Sequence, residues 1–167
     1  MGRSQNEFFL ETFIDELAHA ARKDPYRYRR SLLEANPEFP FAKGWIQVPG
    51  AVAEKSGWGK KLPPGTGMGI AIGDSRRVTR TEITICAAVA TVSVSRKGEV
   101  RVERMDVAMD TGPFLVNPLA AERQAEMQVV MGVAATLRQE ITIEKGDRKS
   151  TRLNSSHIQK SRMPSSA

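Results

Sequence analysis

The sequence predicts an α+β fold, with helices packed on a mostly antiparallel sheet. Three observations carry that expectation. Helical periodicity dominates the first third of the chain, alternating apolar residues flank a tight turn at Arg96-Lys97-Gly98, and Asn117-Pro118 opens another helical run. Helices, then strands, then a helix is the order of an α+β domain, in which helices gather on one face of a sheet to bury its apolar side.

The first element begins at Ser4-Gln5-Asn6-Glu7, which has the form of a capping box: the serine hydroxyl takes an orphan N–H and the glutamate reaches back. The helix behind it carries Phe9, Leu10, Phe13, Ile14, Leu17, Ala18 and Ala21 on one face, with Glu11, Asp15, Glu16 and Arg22 opposite. His19 falls with the polar set, four residues after Asp15, and reads as half of a solvated i,i+4 pair. Asp24-Pro25 caps and opens a second helix through about Leu33. The stretch NPEFPFAKGWIQVPG, punctuated by Pro and Gly, reads as irregular chain before a short helix around Ala51–Lys55.

LPPGTGMGIAIGD has glycines at 65, 67, 69 and 73, which is not the G-x-G-x-x-G spacing. It also precedes a strand, whereas a dinucleotide fingerprint follows one, so it reads as a turn entering a strand. Residues 82–95 and 99–110 pair as a hairpin around Arg96-Lys97-Gly98. Ile83, Ile85, Ala87 and Val89 share one parity and Val92 and Val94 the other. Val100 and Val102 differ in the same way from Met105, Val107 and Met109. A phase slip in both arms predicts a bulge, or burial on both faces midway. Asn117-Pro118 then supplies an N-cap with proline at N1 for a long helix over 119–140, and EITIEKGD begins another strand.

A chain of 167 residues with 40% hydrophobic and 26% charged residues suits one globular domain. No apolar run approaches the roughly 20 residues that span a bilayer, and MGRSQNEFFL has neither the h-region nor the cleavage site of a secretory signal. The lone Cys86 excludes an internal disulfide and reads as a small buried strand residue. The net charge of +6 resides mostly in the last 21 residues. DRKSTRLNSSHIQKSRMPSSA has no periodicity, and its Asp147–His157 and Ser161–Ala167 portions back-translate to the two ends of a common sequencing-library adapter. Residues 147–167 are therefore expected to be a disordered, artefactual tail. The tail holds five basic residues and one acid, which leaves 20 basic and 18 acidic residues in 1–146, a net of +2. So balanced a body makes no electrostatic case for nucleic acid, and the chain is expected to be a fragment cut near Gly146.

Asp110-Thr111-Gly112 has the form of the aspartic-protease tripeptide. Those enzymes need two carboxylates sharing a proton, and here Pro113, with no N–H and a fixed φ, follows the glycine. Asp110 is expected to end a strand, and no catalytic residue or metal ligand is assigned to it or to any other position. A small RNA-binding-type module is another reading, because β-β-β-α after a helix is similar in order to a double-stranded-RNA-binding domain. Such a module needs a basic last helix, yet this one offers only Arg123 and Arg138 beside Glu122, Glu126 and Glu140.

Two long segments carry a stronger likeness. SQNEFFLETFIDELAHAARKDPYRYRRSLL resembles the stretch after the cofactor loop of xanthine dehydrogenase/aldehyde oxidase-type molybdenum hydroxylases. GMGIAIGDSRRVTRTEITICAAVATVSVSRKGEVRVERMDVAMDTGPFLVNP resembles their second molybdopterin-binding domain, and the likeness, from about residue 2 to 145, is nearest to isoquinoline 1-oxidoreductase-like large subunits. In this resemblance D-T-G is the family's D-x-G turn before the V-N-P that opens a helix. The resemblance implies hydroxylation of an aldehyde or N-heterocycle carbon by a molybdenum–molybdopterin cofactor, in the cytosine dinucleotide form. Electrons would leave through two [2Fe–2S] clusters on a small iron–sulfur partner subunit. It implies cofactor contacts at Gly2, Ser4 and Gln5, matching the end of an R-x-x-G-x-x-Q loop, and at Gln124, matching a helix glutamine. The N–H groups opening that helix would help hold an anionic pyrophosphate. The family's catalytic glutamate would lie in a G-x-G-E-like segment beyond residue 145. Where the family has Q-x-E-G-G, this chain has Gln124-Ala125-Glu126-Met127-Gln128, without either glycine.

Overall fold

The computed structural model describes residues 3–76, 83–139, 141–144 and 147–150. The chain forms two compact units, Met1–Val116 and Asn117–Ala167. The first holds α1 (Arg3–Ala20), α2 (Pro25–Glu34), α3 (Ala42–Ser56), β1 (Thr66–Arg76), β2 (Ile83–Val94) and β3 (Val100–Asp110). Its strands form one antiparallel sheet in the order β1-β2-β3. The α+β expectation is borne out. The second unit holds α4 (Pro118–Arg138) and the short strands β4 (Ile141–Glu144) and β5 (Asp147–Ser150).

One face of the sheet makes the core. Ile70 and Ile72 of β1 and Ile85, Ala87 and Val89 of β2 pack with Val48, Val52 and Ala53 of α3. The register sets Ile70 opposite Val89 and Ile72 opposite Ala87, so alternate residues of both strands reach the same side. Burial in β2 keeps one parity from Ile85 through Thr91, without a slip. The predicted slip belongs to β3 alone: Thr91 faces Arg104 and Val92 faces Val102, which leaves Glu103 as the extra residue of a bulge. The hairpin turns at Gly98 (φ +82°), with Ser95 N–H donating to the Glu99 carbonyl at 2.9 Å.

α3 is much longer than the helix expected at 51–55. Gly44 and Pro49 signal a break locally, but Val48, Pro49, Val52, Ala53 and Ser56 are all buried, and burial of that face outweighs the lost Pro49 N–H. Gly44 has a packing reason. A Cβ there would stand 2.8 Å from Ile85 Cδ1, so only glycine lets the first turn of α3 come this close to the sheet. The helix ends in a Schellman arrangement, with Gly57 left-handed at φ +70° and Trp58 N–H donating to the Ala53 carbonyl at 2.9 Å. α2 begins as expected: Asp24 Oδ1 accepts the Arg27 N–H at 2.9 Å. The other oxygen of Asp24 accepts Trp58 Nε1–H at 2.8 Å, which ties the cap to the end of α3.

α1 is rotated from its expected orientation. Ala18 is fully buried and Ile14 half-buried, as expected, but Phe9, Leu10 and Phe13 of the same predicted face are exposed, Phe9 by 66%, and Glu11 of the polar set is turned inward. Ser4 lies inside the helix, and Glu7 Oε1 accepts the Asp74 N–H of β1 at 3.4 Å. Asp15 pairs with Arg29 at 2.6 Å, not with His19. Arg29, 3% exposed, explains the rotation. It donates to Glu11 Oε2 (3.0 Å), the Glu11 carbonyl (3.0 Å), Asp15 Oδ1 (2.6 Å) and the Pro25 carbonyl (3.2 Å). A buried guanidinium needs such partners, and the helix face that carries the carboxylates must face it.

Burial pushes the Glu11 carboxyl above its ordinary range, and Asp15 adds to this. Arg29 and the Ile72 N–H act against it without cancelling it. A carboxyl raised on folding stabilises below its unfolded value and loses that contribution as pH climbs through the folded one. Glu11→Gln removes this titration. The stability of the native chain relative to Glu11→Gln should therefore be highest below pH 4.5 and fall as pH rises above it, as read from urea melts across that range. A difference that instead grows with pH would assign the opposite sign.

In the second unit, Asn117 Oδ1 accepts the Ala120 N–H at 3.0 Å, as the Asn-Pro signal predicts. Described strands on either side of the expected boundary at 146 pair with each other. Asp147–Ser150 pairs antiparallel with Ile141–Glu144, Ile143 opposite Arg148, so four residues of the expected tail form a strand. The β-branched run Ile141-Thr142-Ile143 favours such pairing, because branched side chains suit a pleated surface. Residues 151–167 lie outside the described residues.

Candidate functional site

The residues matched to the cofactor loop sit at the start of α1. Ser4 lies in its first turn, Gln5 follows on an exposed surface, and Gly2 is outside the described residues. Gln124 lies in the other unit, two turns into α4, also exposed. The structure thus brings Ser4 and Gln5 together on one helix end, and Gln124 stands on a separate element.

A molybdopterin cofactor needs amide and backbone groups that both donate and accept. Gln124 fits that need, because its amide is exposed and has no hydrogen-bond partner among the described residues. Met127, 55% exposed, and Gln128 occupy the positions where the resemblance leads one to expect glycines. One turn beyond Gln128 on the same face, Gly132 leaves bare backbone, where an added Cβ would meet nothing within 4 Å. Close approach to α4 is therefore available at Gly132. The start of α4 is less suited to an anion. The Asn117 side chain takes the Ala120 N–H, the Asn117 carbonyl takes the Ala121 N–H, and Pro118 has none. The first turn offers a phosphate little more than the Leu119 N–H, which departs from the pyrophosphate role expected of this helix end.

Asp110 ends β3 as expected, and its Oδ1 accepts the Gly112 N–H at 2.9 Å in a tight side-chain turn. Its other oxygen lies near the first turn of α3, 3.5 Å from where a Gly44 Cβ would stand. α3 has no side-chain cap of its own and no acidic residue in its first turn. The carboxylate is thus placed to favour the positive end of that helix. Its geometry is structural rather than that of a paired acid. Arg123 is engaged by Glu126 at 2.9 Å, so α4 presents mixed charge rather than a basic RNA-binding face. Among the described residues no group of three or more His, Cys, Asp or Glu is arranged to hold a metal ion, and no helix is long and apolar enough to cross a membrane.

Sequence reasoning missed Glu7, Glu11 and Arg29. The i,i+4 spacing of Glu7, Glu11 and Asp15 was legible, but on a helix that reads as amphipathic such a row ordinarily marks a solvated face.

The chain spans small parts of the curated relatives it matches. A membrane-bound aldehyde dehydrogenase of Gluconacetobacter polyoxogenes, named for pyrroloquinoline quinone, is 32% identical over 147 residues, which cover 82% of this chain and 19% of that protein. A nicotinate dehydrogenase subunit of Pseudomonas putida is 29% identical over 151 residues, covering 83% of this chain and 12% of that protein. Residues 50–162 match the family model of the molybdopterin cofactor-binding domain. That span takes in part of α3, the whole three-stranded sheet, the D-T-G turn and α4 with Gln124, and it runs past the boundary expected at Gly146. Since the match embraces the sheet and the helix that follows it, the chain belongs to the molybdopterin cofactor-binding domain family.

Proposed function

We propose that this chain serves as a molybdenum-cofactor-holding portion of an oxidoreductase subunit that hydroxylates an aldehyde or N-heterocycle. The observation that carries this reading is the family match across the sheet and α4. The relatives' names support the two substrate classes: one acts on aldehydes and the other on nicotinate, an N-heterocycle. The second relative is named as one subunit of its dehydrogenase, which supports a multi-subunit assembly. The resemblance implies that the partner is a small iron–sulfur subunit carrying [2Fe–2S] clusters. The bound cofactor, in the cytosine dinucleotide form, would supply oxidation at carbon. This chain's share is to hold it: Gln124 by its amide, Ser4 and Gln5 from the start of α1, and Gly2, which precedes them in the sequence. The base that must reach the reacting hydroxyl is none of these residues.

The test is molybdenum, pterin and pyrroloquinoline quinone per subunit, in the 167-residue chain and in a full-length subunit containing it. The chain alone should hold no stoichiometric molybdenum and oxidise neither substrate class, because a buried cofactor needs all its walls. The full-length subunit should hold molybdenum and pterin. Quinone in place of pterin would overturn the reading. In that subunit Gln124→Ala should lose about 1–3 kcal/mol of cofactor binding, the cost of stranding a polar partner. Gln128→Ala, one turn on, should lose much less. Equal molybdenum retention in the two variants, with folding checked by circular dichroism, would make Gln124 an ordinary helix residue.

A further inference from the structure

We infer that Glu11 is a positioning residue, which clamps α1 along the open edge of β1 and so holds the turn bearing Ser4 and Gln5 in place. An edge strand directs alternate N–H groups away from its partner, where they invite another strand. Here α1 meets them. Ile72 N–H donates to Glu11 Oε2 at 2.8 Å, and Asp74 N–H donates to Glu7 Oε1 at 3.4 Å. The spacings agree. One helical turn of four residues rises about 6 Å, and two strand residues advance about 6.7 Å. Carboxylates at i and i+4 therefore fall level with every second residue of the edge.

The order is antiparallel, Glu7 beside Asp74 and Glu11 beside Ile72, so one turn further back Arg3–Ser4 stands level with Arg76, the end of β1. Gly73 lies between the two contacts, and a Cβ there would come within 3.0 Å of Glu7 Oε2, so glycine lets the helix approach. Arg29 fixes the rotamer of Glu11. The same Oε2 that accepts the Ile72 N–H accepts Arg29 Nε–H at 3.0 Å, and Arg29 also grips the Glu11 carbonyl. A carboxylate that burial disfavours, yet whose Oε2 is held by two donors, contributes position more than stability. The consequence for the cofactor rests on the proposed contacts at Ser4 and Gln5.

The test is amide hydrogen exchange on the full 167-residue chain, residue by residue. In Glu11→Ala the Ile72 amide should exchange roughly tenfold faster, and the Glu7–Leu10 amides of α1 should speed with it. The Ala71 amide, which faces β2, should keep its protection. Glu11→Gln retains an acceptor oxygen and should restore most of the Ile72 protection, which a general loss of packing would not allow. If Glu11→Ala does not fold, Arg29→Lys carries the test, because it loosens the hold on the Glu11 carboxylate and should speed Ile72 exchange while the Ala71 amide stays protected. Unchanged Ile72 exchange in Glu11→Ala, or in Arg29→Lys where Glu11→Ala does not fold, would overturn the clamp. Failure of the cofactor reading looks different: Ile72 exchange would respond as stated, while Ser4→Ala and Gln5→Ala left molybdenum retention in the full-length subunit unchanged.

Discussion

Arg29→Met should lower the thermal midpoint by roughly 6–12 °C. The substitution keeps an unbranched side chain of similar reach but takes the guanidinium's N–H groups from Asp15 Oδ1, from two carbonyl oxygens and from Glu11 Oε2, which is left with the Ile72 N–H alone. Removing one member of a buried pair costs about 3–5 kcal/mol, and the lower figure applies here because the Asp15 side chain is 46% exposed and can turn to water. Arg29→Lys should recover only part of the loss, since an ammonium cannot make the forked contacts of a guanidinium. Adding Glu11→Gln to Arg29→Met should restore some stability, because the stranded group is then neutral. Differential scanning calorimetry on the four proteins decides it. A midpoint within about 2 °C of the native chain for Arg29→Met would mean that the α1–α2 junction does not depend on this residue.

Gly44→Ala should destabilise by about 1–3 kcal/mol, the usual cost of forcing an extra methyl group into a packed core. Its Cβ would press on Ile85 Cδ1 at 2.8 Å, and Ile85, 1% exposed, has no free direction in which to move. Ile85→Val removes that very atom and on its own should cost about 0.5–1.5 kcal/mol. The double substitution should then cost clearly less than the two single costs together, as contacting residues that share one volume are not additive. Urea melts of the two single variants and the double variant give the coupling directly. Additive costs would place the strain of Gly44→Ala elsewhere, in the backbone of α3 or against Asp110.

Elements whose signals are local were legible in the chain. Asp24-Pro25 and Asn117-Pro118 start helices because a side-chain oxygen meets an orphan N–H one turn on. Arg96-Lys97-Gly98 turns a hairpin because Gly98 accepts a positive φ. Asp110 ends a strand because its carboxylate can close on the Gly112 N–H. The candidate cofactor residues Gly2, Ser4, Gln5 and Gln124 were found by likeness rather than by any local rule. The structure leaves the described ones on two different units, with Gln5 and Gln124 both exposed.

Tertiary structure alone decided three things. α3 runs through Gly44 and Pro49 because the face with Val48, Val52 and Ala53 is buried against the sheet, a gain that no local propensity contains. The slip in the hairpin falls on β3 because β2 is buried on one parity from Ile85 to Thr91, so Glu103 takes the irregularity at the outer strand. α1 turns its carboxylates inward and its phenylalanines outward because Arg29 and the open N–H groups of β1 lie on its inner side. Periodicity tells which residues share a helix face, and only the partner across the contact decides which face is buried.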